Sequence, residues 1–174
     1  LNYTEVQSGS VLILGSGSAE LRNNDFSISV NDRIRLGTTG AVQFRGNTVA
    51  LQTGETSCHS GVSAEQGKVT LRGNTIGPQE LLPCPAVRAE DDNELTLDLG
   101  TAAEPGDNRL YGTPGLYVEL TDADSTPLIP AFGNTWGAST PECSTMDGSV
   151  EIWVNASLSI EGTVVQTDAN HTCP

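Results

Sequence analysis

Leu71-Arg72-Gly73-Asn74-Thr75-Ile76 recurs along the chain as Phe44-Arg45-Gly46-Asn47-Thr48-Val49 and, more loosely, as Leu21-Arg22-Asn23-Asn24-Asp25-Phe26. A fourth copy, Ala131-Phe132-Gly133-Asn134-Thr135-Trp136, keeps the Gly-Asn-Thr centre. Self-similarity at a near-constant offset is the signature of a coil that stacks on itself. The phrase reads as a bend between two short strands. Its apolar ends point inward, and Gly-Asn turns the chain between them, because these residues enter left-handed backbone conformations at least cost. Asn24, Asn47 and Asn74 lie 23 and 27 residues apart, about one turn of a solenoid with ~20–29 residues per coil. Stacking would bring the three over one another, where their side-chain amides can hydrogen-bond as a ladder.

The flanking segments carry a two-residue period. Phe26, Ile28 and Val30 alternate with Ser27, Ser29 and Asn31; Leu95, Leu97 and Leu99 alternate with Thr96 and Asp98; Leu116, Val118 and Leu120 alternate with Tyr117 and Glu119. Such short alternating runs, bounded by Gly, Asn and Pro, predict half-buried strands. No stretch of a dozen residues has a helical period, and 19 glycines and nine prolines supply the turns that many short strands need.

Across residues 19–136 these coils make the chain resemble the right-handed parallel β-helix repeat proteins of bacterial and extracellular surfaces. The resemblance implies an all-β fold, a short right-handed parallel β-helix with a β-strand C-terminal cap. It implies little about activity, since that family includes polysaccharide lyases, adhesins, phage spikes and inert scaffolds. The alternative architecture is an antiparallel β-sandwich with coincidental Gly-Asn-Thr turns. In the solenoid reading, residues 1–174 form a single domain, with a lead-in strand over 1–18, coils over 19–136 and a terminal cap over 137–174. Val11-Leu12-Ile13-Leu14 is apolar on both faces, which predicts a strand buried on both sides that either caps the first coil or pairs with a neighbouring molecule. Gly77 to Pro85 is proline-rich and reads as a loop ejected from the stack. Beyond Ser139, Val150, Ile152 and Val154 and then Leu158 and Ile160 predict two strands broken at Asn155-Ala156-Ser157. Trp136 and Trp153 would cover the last coil, the role of an atypical terminal repeat.

Composition narrows the function. At 174 residues the chain suits one domain with a real core. Its longest apolar run, Val11 to Leu14, is far too short to span a bilayer, so no membrane insertion is expected. A start at Leu1 rather than Met suggests a mature product or a piece of a larger protein. With 22 acidic against eight basic residues and a formal charge of −14, the surface repels phosphate backbones, so nucleic acid is not an expected partner. Eleven of the acidic residues fall between Glu80 and Asp124, densest at Glu90-Asp91-Asp92-Asn93-Glu94. That run reads as a solvated loop or as a calcium site, although no EF-hand spacing or Gly/Asp nonapeptide repeat is present.

Cys58, Cys84, Cys143 and Cys173 form an even set without a Cys-x-x-Cys pair, which points to two disulfides in an oxidising compartment. Three pairings are possible; Cys58–Cys84, about one coil apart, and Cys143–Cys173, which would pin the terminal segment, are favoured. His59 and His171 lie near cysteines without ligand-like spacing, so a zinc site is not indicated. Sequons at Asn2, Asn155 and Asn170 are candidate glycosylation sites, though a chain this rich in Asn, Ser and Thr produces about two by chance.

Signals for catalysis are sparse. Only two histidines are available as bases, no Gly-x-Ser-x-Gly elbow is present, and Gly15-Ser16-Gly17-Ser18 lacks the Lys-Ser/Thr of a phosphate loop. Asp122 and Asp124 are spaced to leave one face of a strand, and Arg88 and Arg109 are the basic residues near the acidic region, so a polysaccharide lyase or hydrolase is the enzymatic reading. The expectation is instead a non-catalytic, exported module, extracellular or on the cell surface. A short solenoid has two open ends, and a contact between unlike ends generates filaments. The expected partner is therefore a second copy, head to tail through Val11–Leu14, with no cofactor. The alternative is a carbohydrate-binding or adhesin segment of a larger surface protein, its partner an extracellular glycan.

Overall fold

The computed structural model describes residues 5–7, 10–29, 32–51, 60–77, 85–91, 95–111, 116–120, 128–136, 143–144, 152–154 and 159–161. After β1 (Glu5–Gln7), the chain repeats one path. It runs β2 (Val11–Gly15), β3 (Ala19–Arg22) and β4 (Asp25–Ile28) in the first coil, then β5 (Ile34–Arg45) and β6 (Thr48–Leu51), then β7 (Val62–Arg72) and β8 (Thr75–Ile76). The path continues as β9 (Val87–Asp91), β10 (Thr96–Asp98) and β11 (Arg109–Leu110), followed by β12 (Leu116–Leu120), β13 (Leu128–Pro130) and β14 (Thr135–Trp136). It ends on β15 (Cys143–Ser144), β16 (Ile152–Val154) and β17 (Ser159–Glu161).

Every strand pairing among the described residues is parallel, and no helix occurs among them. The protein is an all-β solenoid of stacked parallel coils, which excludes the antiparallel sandwich. One face is the six-stranded sheet β1-β4-β6-β8-β11-β14. A nine-stranded sheet follows the order β15-β16-β12-β9-β7-β5-β2, with β3 beside β5 and β10 beside β7. The long strands β5 and β7 each serve two faces: the first half of β5 pairs with β2 and the second half with β3. The bend shows as register shifts around Gly37 to Ala41. Gly67 sits at this corner with φ of +68°, and a Cβ there would collide with the Thr38 carbonyl.

Stacking makes the core a set of axial rows. Phe26, Val49, Ile76, Leu110 and Trp136 are consecutive register partners, all buried. Leu21, Phe44 and Leu71 form a second row, and Ile34, Val62, Val87 and Leu116 a third. Phe26 and Phe44 stack with ring centroids 6.0 Å apart, tying two rows together. Burying each large side chain contributes about 1.5–3 kcal/mol, so the rows, not local propensity, hold the coils in register.

One expectation needs correction. The apolar lead-in is not buried on both sides: β2 lies at the end of the nine-stranded order, with Val11 and Ile13 leaning on the core while Leu12 and Leu14 are 56% and 47% exposed. A solenoid wall has one apolar side, so the alternate residues of any strand in it face out. Among the described residues beyond 137, β16 pairs in parallel with β12 and β17 with β13, so these terminal strands continue the stack. Trp136 ends the first axial row, on the last strand of the six-stranded sheet, at 5% exposure.

Candidate functional site

The turn of the repeated phrase is built the same way in each coil. The residue before the ladder asparagine is left-handed throughout: Asn23, Gly46, Gly73, Asp107 and Gly133 have φ of +54°, +62°, +64°, +51° and +74°. Only Gly, Asn and Asp enter this region readily, and only these residues are used. The bend then turns each asparagine side chain along the solenoid axis.

Asn24, Asn47 and Asn74 are brought together as a ladder, and Asn108 and Asn134 extend it. Each amide oxygen accepts from the side-chain Nδ2 of the preceding asparagine, at 2.9 Å for Asn24 to Asn47, 3.2 Å for Asn47 to Asn74, 2.9 Å for Asn74 to Asn108 and 2.9 Å for Asn108 to Asn134. The same oxygens accept the backbone N–H of the preceding asparagine at 2.9–3.1 Å. The second Nδ2 hydrogen goes to a main-chain carbonyl: Asn47 to Leu21, Asn74 to Phe44 and Asn108 to Leu71. Asn24, Asn47, Asn74 and Asn108 are all buried, so every bond is made where an unmade one would be costly.

Two positions earlier runs a second row. Arg22, Arg45 and Arg72 are register partners, so their backbones lie about 4.8 Å apart on neighbouring strands. Guanidinium groups have donors and no acceptor, so this row cannot bond to itself. Each member instead has its own counter-group. Arg22 pairs with Glu20, both half exposed, and Arg45 donates to Gln43 and to Glu104 Oε1 at 3.0 Å. Arg72 makes two bonds of 2.9 Å to the Asp98 carboxylate, with the two side chains only 7% and 14% exposed. Both bonds come from Nη2, and Asp98 also accepts from the Gly100 backbone at 2.9 Å, which orients its carboxylate. Beside Arg45, Arg72 and Gly73, the segment Ala103 to Asp107 walls a recess of about 440 Å³.

The open end supplies the other surface of interest. Among the described residues β2 has a single strand neighbour, β5, and presents Leu12 and Leu14 outward. They are the large apolar side chains most exposed among the described residues.

The remaining sequence candidates are dispersed or lie elsewhere. Asp98 of the acidic region is committed to Arg72. Arg88 lies in β9 of the nine-stranded sheet and Arg109 in β11 of the six-stranded one, so the basic pair of the enzymatic reading is split between two faces. Among the described residues no three His, Cys, Asp or Glu side chains gather as a metal-binding group. Cys58, Cys84, Cys173, Asn2, Asn155, Asn170, Asp92, Glu94, Asp122 and Asp124 lie outside the described residues, as do residues 78–84 of the proline-rich loop. Cys143 is placed at the start of β15 by its backbone.

Compared with protein-family models, with curated proteins and with solved structures, the chain matches none. The class is therefore defined by the coordinates alone: a parallel β-solenoid with an axial asparagine ladder.

Proposed function

We propose that the chain is a non-catalytic, exported structural module that assembles head to tail, one solenoid continuing into the next. The observation that carries this reading is β2, which among the described residues has a strand on one side only and carries the exposed Leu12 and Leu14. A parallel edge is a template for a further strand, and a monomeric protein ordinarily blunts it with charge, proline or a bulge. Here the edge is apolar. A copy stacked on it would extend the sheets at ~4.8 Å spacing and flank the two leucines with the outward side chains of its own strand. Contacts between unlike ends do not close, so the product is a filament. The even cysteine set supports an extracellular or cell-surface location.

Electron microscopy of native, unfixed protein tests this. Filaments with an axial repeat of one domain are expected, and a Leu12→Lys/Leu14→Lys variant should fold yet remain monomeric. Monodisperse wild-type monomers at high concentration would overturn the reading.

A second reading, a glycan-binding segment of a longer surface protein, is favoured by one feature of the register. It sets Arg88, Tyr117 and Trp153 side by side on consecutive strands of one face. Binding of the monomeric variant to immobilised glycans, lost on Trp153→Ala, would favour that reading over assembly.

A further inference from the structure

The asparagine spacing is 23, 27 and 26 residues in three steps and 34 in the step from Asn74 to Asn108. The longer step accommodates a loop, Thr101 to Gly106, closed by a bond from Thr101 N–H to the Glu104 carbonyl and one from Glu104 N–H to Thr101 Oγ1. The loop is anchored to the stack by the Gly73 N–H, which donates to the Gly106 carbonyl at 2.7 Å. It thereby becomes one wall of the 440 Å³ recess, with Arg45, Arg72 and Gly73 opposite.

Arg72 has an unusual residual need. Its Nη groups are used by Asp98 and by the Leu71 and Asp98 carbonyls at 2.9 and 3.1 Å. Its Nε–H is buried without a hydrogen-bond partner, and Glu104 Oε1 lies 3.8 Å from that nitrogen. Glu104 is 56% exposed and bonds to Arg45 instead. A carboxylate thus sits over two guanidinium groups and satisfies one of them. A buried N–H donor without an acceptor is rare in native proteins and calls for a cause.

We propose that this recess is a binding site for a small carboxylate, of the size of a sugar acid, and that Glu104 is its resident substitute. The incoming carboxylate accepts from Arg45 and from the Arg72 Nε–H together, and Glu104 swings into solvent, where its ionised form is well hydrated. The ligand chemistry follows from the local charges. Asp98 bonds Arg72 and Asp107 lines the recess, so two carboxylates offset the two guanidinium charges and a doubly charged phosphate is disfavoured more than a singly charged carboxylate. A flat, singly charged carboxylate matches guanidinium donors in both charge and shape. The formal charge of −14 disfavours long polyanions more than a single small one, whose repulsion is screened over about 10 Å at ordinary ionic strength. The recess volume lies within the usual range of ~300–1,000 Å³ for small-molecule pockets.

Calorimetric titration with glucuronate tests the site, with acetate, glucose and inorganic phosphate as comparisons. The wild-type protein should bind glucuronate weakly, acetate more weakly, and glucose and phosphate not at all. Glu104→Gln should tighten glucuronate about tenfold, since the competing internal carboxylate is gone. Arg45→Gln should abolish binding while the protein remains folded by circular dichroism. The proposal is overturned if neither wild type nor Glu104→Gln binds glucuronate, if Arg45→Gln binds it as well as wild type does, or if glucose binds equally. None of these results depends on self-assembly.

Discussion

Two rows of identical polar side chains run along this solenoid two positions apart, and they solve opposite problems. The row from Asn24 to Asn134 is self-complementary: each amide has a donor for one neighbour and an acceptor for the other, so repetition itself supplies the partners. The row Arg22, Arg45 and Arg72 has donors only, and like charges on neighbouring strands repel. It persists by importing Glu20, Gln43, Asp98 and Glu104 from its surroundings. A ladder of amides therefore belongs to the fold, while a ladder of cations depends on what surrounds it.

Breaking the first row should have the larger effect. Asn74→Ala removes the acceptor of two Asn47 donors and the donor to Asn108 and Phe44, inside a buried stack. The expected loss is about 3–5 kcal/mol in urea denaturation, with Asn24→Ala at the row's end costing less. Breaking the second row comes next. Arg72→Met leaves the Asp98 carboxylate without its cation and should cost about 2–3 kcal/mol, whereas Arg72→Met/Asp98→Leu should recover most of that by removing both charges. The smallest change sharpens the turn that both rows share. Asp107 is held at a φ of +51°, so Asp107→Gly should raise stability by about 0.5–1 kcal/mol in the same assay.

Much of the fold was legible because its main device is local. The left-handed residue, the ladder asparagine and the inward apolar residue sit within a few positions of one another, and copies at 21–26, 44–49 and 71–76 expose the period. Asn108 escaped as a ladder member because Asp107 replaces the glycine, Arg109 replaces the threonine, and the Thr101–Gly106 insertion stretches the spacing to 34 residues. The signal was nonetheless present, in an Asn preceded by a residue tolerant of positive φ and followed two positions later by Leu110. Burial of the lead-in was misjudged for a different reason. Val11 to Leu14 is apolar throughout, and an apolar run is consistent with a core strand or an uncovered edge; only the order of strands decides. The arginine recess was not legible at all. Arg45 and Glu104 are 59 residues apart and meet only because the insertion folds back over two coils.

The most direct test of the contrast is a pair of double-mutant cycles, Asn47→Ala with Asn74→Ala and Arg45→Gln with Arg72→Gln, each followed by chemical denaturation. The asparagine pair should show a favourable coupling of about 1 kcal/mol or more, and the arginine pair a coupling of opposite sign. Equal couplings in the two rows, or none between Asn47 and Asn74, would contradict the claim that the amide row supports itself while the cation row does not.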